Sequence, residues 1–301
     1  TETTRAEQPS TVSGLVMING KYYASSKFKF TLTATDRNGV GVKKILYRID
    51  GGAFGEFKKP FTINEEGEHR IEYKSIDNLG NVEITKSVIV VIDNTAPSAF
   101  VNLETPGFQR GDIIYINNQN KFTITASDRL SGVKMVQYKI GEGQWQTYSS
   151  AVALTTQGLQ KIQYKAVDKV GNETEVFSVM VFVDTIAPVV KITPTEQFRT
   201  QNGNRVAGLN YIYSVDATDN ESGVRYIKVK VDNGEWVTYK NKIVFSNPGT
   251  HKIVAQAWDY AGNASTPITL TITVDGAAPN TSLQAAGPGN ESSSAPAQQA
   301  P

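Results

Sequence analysis

The residues best placed to do chemistry in this chain are aspartates that recur in step. Asp36, Asp128 and Asp219 each close an Ala-Thr/Ser-Asp triplet, and Asp77, Asp168 and Asp259 each open an Asp-x-x-Gly-Asn segment. Asp93 and Asp184 then head Asp-Asn-Thr-Ala-Pro and Asp-Thr-Ile-Ala-Pro, with Asp275 at the matching place further on. Carboxylates gathered together with backbone carbonyls suit a hard cation, and Ca2+ takes about six to eight oxygen ligands. A structural reading stands beside this one. Asp at the head of a tight turn accepts backbone N–H groups while Gly supplies the positive φ. The chain also lacks an Asp-x-Asp-x-Asp loop.

Other chemistries find less support. Cysteine is absent, which removes disulfides, thiolate metal sites and thiol nucleophiles together. His69 and His251 occupy equivalent places, but the copy between them carries Gln160, so they read as ordinary strand-start residues. No Ser-His-Asp arrangement is visible, and the chain is expected not to be an enzyme. Lys and Arg total 30 against 29 Asp and Glu, a net charge of +1, which argues against a nucleic-acid binder. No apolar run reaches the roughly 18 residues of a membrane helix. The polar start, Thr1-Glu2-Thr3-Thr4-Arg5, without an initiator Met, suggests that a leader or upstream segment was removed.

The elements that must position the aspartates follow from the repeat. Asp77, Asp168 and Asp259 stand 91 residues apart, as do Asp93, Asp184 and Asp275, a domain-sized period. Ile71-Glu72-Tyr73-Lys74-Ser75 alternates apolar and polar residues, as do its counterparts at 162–166 and 253–257, which marks half-buried strands. Asp50-Gly51-Gly52, Gly141-Glu142-Gly143 and Asp232-Asn233-Gly234 are hairpin turns, each followed by an aromatic residue: Phe54, Trp145 or Trp236. In the first copy strands are expected at 14–19, 28–35, 42–49, 53–57, 60–64, 69–76 and 82–92. The fold class is all-β: three tandem immunoglobulin-like β-sandwich domains in an elongated rod, with a closed barrel as the competing geometry. The expected divisions are a flexible N-terminus at 1–10, repeats at 11–97, 98–188 and 189–279, and a disordered tail, or stump of a further repeat, at 280–301. In the last strand Val88, Val90 and Ile92 face inward. The opposite parity (Ile89, Val91, Met180, Phe182) is expected to be covered by another strand or loop.

The cassette running from Tyr47-x-Ile49-Asp50-Gly51-Gly52 through Asp77-x-x-Gly80-Asn81 to Asp93-Asn94-Thr95-Ala96-Pro97 resembles bacterial Ig-like repeats of surface and secreted proteins. In particular it resembles the β-barrel-type repeat of a spirochaete outer-membrane adhesin. The resemblance implies an extracytoplasmic location, at the cell surface, in the periplasm or secreted. In an Ig-like sandwich the Asp36 loop and the Asp77 turn share one end, and Asp93 lies at the other. Stacked copies would bring Asp93 and Asn94 to Asp128 and Asp168, and Asp184 to Asp219, Glu221 and Asp259. Ca2+ is then the expected ion at both junctions, as in cadherin-type rods, and no other cofactor is expected. The function expected is a non-catalytic bacterial adhesin or structural spacer, monomeric, with a host matrix protein or surface polysaccharide as partner. The alternative is a glycan-binding accessory region of a secreted carbohydrate-active enzyme. Trp145 and Trp236 would then stack on sugar rings, Phe54 fitting less well.

Overall fold

A computed structural model describes residues 15–37 and 39–283, and every regular element among them is a β-strand. By contacts the chain separates into two compact units. The first holds residues 1–188 with 219–225 and 258–264; the second holds 189–218, 226–257 and 265–301.

In the first unit, Val16–Ile18 (β1), Lys21–Ala24 (β2), Val42–Ile49 (β3), Gly55–Glu56 (β4), Gly67–Asp77 (β5) and Lys86–Ile92 (β6) form one sheet, ordered β1-β2-β6-β5-β3-β4. The next copy contributes Ser98–Leu103 (β7), Phe108–Arg110 (β8), Ile113–Ile116 (β9), Lys121–Ser127 (β10), Val133–Ile140 (β11), Gln146–Thr147 (β12), Val152–Ala153 (β13), Gly158–Asp168 (β14) and Phe177–Val183 (β15). These make a three-stranded sheet, β13-β10-β7, and a six-stranded sheet, β12-β11-β14-β15-β9-β8. Their inner faces share one core in which Ile116, Phe122, Ile162, Val181 and Val183 are buried. Each such side chain contributes about 1.5–3 kcal/mol by leaving water. Truncating Phe122 or Ile162 would therefore be among the most damaging changes in this copy.

The third copy is built the same way. Its strands are Val189–Pro194 (β16), Arg199–Gln201 (β17), Asn204–Gly208 (β18), Ile212–Thr218 (β19), Val224–Val231 (β20), Val237–Thr238 (β21), Ile243–Val244 (β22), Gly249–Asp259 (β23) and Ile268–Asp275 (β24). They form sheets β16-β19-β22 and β17-β18-β24-β23-β20-β21 around Tyr213, Ile253, Ile272 and Val274. The chain is thus all-β, with tandem sandwiches rather than closed barrels. In each copy a short strand runs parallel to the last one: β2 to β6, β9 to β15, β18 to β24.

Three details of the first copy differ from the expected strands. Of the segment 14–19, Val16–Ile18 is a hairpin arm, because Asn19-Gly20 turns the chain with φ of 48° and 81° into the unexpected strand β2. The segments 28–35 and 60–64 pair only through a bridge between Phe30 and Phe61. Their counterpart β10 is held open along its length by β7, whereas the residues at the matching register, 7–12, fall outside the described part. The last strand begins at Lys86 rather than Val82, which instead bridges Ile76. The segment 1–10, expected to be flexible, and the tail from 284 lie outside the described residues; 280–283 carry no regular structure and are exposed. The outward parity of the last strand is largely covered. Val91 is buried beside Tyr23, and Phe182 stacks on Tyr115 at 5.2 Å, although Ile89 remains exposed.

Candidate metal centres

The Asp-x-x-Gly-Asn segments fold as one turn three times, with the aspartate as its hub. Asp168 Oδ1 accepts the N–H groups of Val170, Gly171 and Asn172 at 2.6–2.9 Å, and Oδ2 accepts Asn172 Nδ2 at 2.6 Å. Asp77 and Asp259 repeat the pattern with Asn81 and Asn263. Gly80, Gly171 and Gly262 take φ of 93–98°, the left-handed region that a side chain resists. Structural and functional readings of these aspartates therefore coexist, since a turn hub is also a fixed carboxylate.

The turns differ in surroundings. Around Asp77, the Asn81 amide and the turn N–H groups hold the carboxyl below its usual range. Asp259 is fully buried, and burial with the nearby Asp184 carboxylate pushes its pKa up despite the same donors.

The first acidic cluster joins the end of β6 to loops of the next copy. Asp93, Asp128 and Asp168 each place a carboxylate oxygen within 4.8 Å of the others. Asp93 and Asp168 are wholly buried. Asp93 Oδ2 accepts Ser131 N–H at 2.9 Å, and its carbonyl accepts Asn172 Nδ2 at 2.9 Å. Asp128 Oδ1 accepts Gly132 N–H at 2.6 Å. Asn94 is not part of this group. Its side chain turns back to Ser26 N–H at 2.8 Å and the Asn64 carbonyl at 3.0 Å, so the expected amide ligand is already engaged. The rim carries Arg129, paired with Glu66 at 2.7 Å, while Glu66 also accepts the Thr95 hydroxyl at 2.6 Å.

The second cluster repeats this with Asp184, Asp219 and Glu221, again within 4.8 Å. Asp184 is wholly buried; its Oδ2 accepts Ser222 N–H at 3.1 Å and its carbonyl accepts Asn263 Nδ2 at 2.9 Å. Asp219 Oδ1 accepts Gly223 N–H at 2.6 Å, but Oδ2 is sealed from solvent without a partner. From β8, Arg110 donates to the carbonyls of Glu221 and Ser222, and Phe108 stacks on Tyr260 with centroids 4.0 Å apart.

The aromatic residues after the hairpin turns sit at equivalent positions but not in equivalent settings. Phe54 lies beneath Arg48 and Lys74, and half-buried Trp145 beneath Lys139 and Lys165, at 4.4–5.7 Å. Trp236 is 39% exposed.

The histidines do more than begin strands. His69 Nδ1 meets Asp50 Oδ2 at 2.7 Å and Nε2 meets the Glu65 carbonyl at 2.9 Å; His251 meets Asp232 and the Asn247 carbonyl likewise. Both nitrogens face acceptors, so the ring donates twice as an imidazolium. Burial alone would lower the His69 pKa, but Asp50 and the Glu65 carbonyl raise it above the ordinary value; Asp232 raises that of His251. The signal was present in the sequence. The copies with His69 and His251 carry Asp50 and Asp232, and the copy with Gln160 carries Gly141.

No family model matches the chain. No curated protein matches it either. Among solved structures it is similar to the fibronectin(III)-like modules of Clostridium thermocellum CbhA, with 22% identity over 59% of this chain and 95% of that one, at a TM-score of 0.36. A bacterial 1.5-MDa ice-binding adhesin matches 77% of this chain and 86% of its own at 15% identity and a TM-score of 0.32. The Bacteroides ovatus glucan-utilization protein SGBP-B, solved with a mixed-linkage heptasaccharide, matches 92% and 72% at 13% identity and a TM-score of 0.21.

Proposed function

We propose that this chain is a non-catalytic Ig-like repeat spacer of a bacterial surface or secreted protein, of the kind its spirochaete-like cassette resembles. One observation supports the reading: the segments leaving β6 and β15 are anchored at buried Asp and Pro positions and hydrogen-bonded into the loops that follow, although Asn94, Thr95 and Ile186 between them are exposed. Asp93, Pro97, Asp184 and Pro188 are all buried, and Asn172 and Asn263 each clasp the carbonyl of the aspartate before them. Short linkers pinned in this way suit a part that holds other modules at a distance. The location is extracytoplasmic, and the chain acts as a monomer. Limited proteolysis tests the reading. The segments 93–98 and 184–189 should outlast the exposed loops, and early cleavage at either one would sink it.

An adhesive role would add a host matrix protein or surface polysaccharide as partner. The exposure of Trp236 favours a glycan as the alternative ligand, as in an accessory region of a carbohydrate-active enzyme. Titration with soluble polysaccharides should quench tryptophan fluorescence in the wild type and not in Trp236→Ala. Equal quenching in both would remove this reading.

A further inference from the structure

We infer that the Asp93/Asp128/Asp168 and Asp184/Asp219/Glu221 clusters are two Ca2+ sites, the second the tighter. This goes beyond the spacer reading and does not depend on it. Buried carboxylates at such separations repel one another, and isolated charges are costly to keep from water. The donors that meet these carboxylates are neutral: N–H groups of Ser131, Gly132, Ser222 and Gly223, and the turn groups around Asp168. Neutral dipoles orient carboxylates but do not cancel three charges.

A second observation, independent of the acidic residues' number, points the same way. Among the described residues three buried side-chain polar atoms have no partner: Ser131 Oγ, Tyr213 Oη and Asp219 Oδ2. Two of the three lie in the two acidic loops. Ser131 is 1% exposed, its N–H rests on Asp93, and its hydroxyl has no hydrogen-bond partner, whereas Ser222 Oγ in the second loop accepts the Ala261 N–H. Asp219 Oδ2 is a buried carboxylate oxygen of the second cluster that no protein donor reaches. Such atoms are expensive to bury unless something binds them.

The chemistry selects the ion. Each carboxylate set offers oxygen alone, with no imidazole and no thiolate, which favours a hard cation. Ca2+ accepts irregular oxygen shells, whereas Mg2+ demands near-octahedral geometry and keeps its water. The basic groups differ between the two loops. Lys169 reaches the first, its Nζ 3.2 Å from where a Cβ on Gly132 would stand. At the second, Arg110 is held by the carbonyls of Glu221 and Ser222, and Glu221 replaces Leu130 of the first loop.

Isothermal titration of the chelator-stripped full chain with CaCl2 tests this. Two equivalents are expected, together with a rise in melting temperature. Asp93→Asn should remove the weaker equivalent. Glu221→Gln, on a half-buried side chain that leaves the fold intact, should weaken the tighter one at least tenfold. Circular dichroism confirms that each variant is folded; if Asp93→Asn is not, Asp128→Asn takes its place. No heat and no melting shift at millimolar CaCl2 would overturn the inference. So would identical isotherms for wild type and a variant combining Asp93→Asn with Glu221→Gln, or equal affinity for MgCl2.

Discussion

The two acidic loops of the first unit, 128–132 and 219–223, share a backbone but not an electrostatic setting. Both seat a buried aspartate from the preceding strand end on a Ser N–H, and both are clasped by an Asn amide from a neighbouring turn. Around the first stand Arg129, Leu130 and Lys169; around the second the same places hold Asn220, Glu221 and Tyr260. The second loop has gained a carboxylate and lost two basic side chains. In exchange it has Arg110 on its carbonyls and Phe108 stacked on Tyr260. The scaffold thus fixes where carboxylates meet, and a few rim residues decide how much charge is left unbalanced.

The largest effect should come from what both loops share. Asn263→Ala strips donors from the Asp184 carbonyl and Asp259 Oδ2, and should cost about 1–3 kcal/mol in a denaturant melt. Asn172→Ala should cost about as much at the first loop; a loss confined to one of the pair would break the equivalence.

The difference is sharpened by exchanging rim residues. At an effective dielectric of about 20, a unit charge about 5 Å from a divalent ion is worth roughly 6–7 kcal/mol, and exposure and screening reduce this toward about 1.4, about tenfold in affinity. Lys169→Tyr should therefore raise Ca2+ affinity at the first loop about tenfold by calorimetry, while Glu221→Leu lowers it at the second by a similar factor.

Phe108→Ala removes the stack on Tyr260 and should cost about 0.5–1.5 kcal/mol in thermal or chemical melts. Its opposite number, Arg129→Ala, breaks a pair whose arginine is 78% exposed and should cost under about 0.5 kcal/mol. Equal losses from these two would mean that the loops are closed alike.

A pH series separates loop effects from those of the histidines. His69 and His251 have raised pKa values in the fold, so their stabilisation is complete below the ordinary value of about 6.5 and is lost as pH rises through the raised ones. Melting temperature in chelator should fall across that window and become flatter in His69→Gln/His251→Gln. For Asp259 the raised carboxyl value means that its cost is absent at low pH and grows as pH climbs past the ordinary aspartate range. Wild type should therefore exceed the double histidine variant most on the acidic side, and the two profiles should converge as pH rises through the histidine window.

Much of this was legible in the sequence because it is local or periodic. Alternation along 71–75, 162–166 and 253–257 marks strands since side chains point to opposite faces in turn. The Asp-x-x-Gly-Asn turns announce themselves because a turn is closed by its own residues. The hairpin at Asn19-Gly20 is equally local, since its two left-handed residues close the turn by themselves. The Asp50–His69 pair was harder to see, but the joint change to Gly141 and Gln160 recorded it.

What the sequence determined by itself is the 91-residue register, the β class and the set of aspartates available to meet. Only the tertiary structure decided which of the expected carboxylates come within 4.8 Å of one another, that Asn94 turns back toward Ser26, and that Asp259 is wholly buried. The physical reason is range: faces and turns are set within a few residues. The distance from Asp93 to Asp168, or from Asp184 to Asp259, depends on how strands far apart in the chain pack around a shared end.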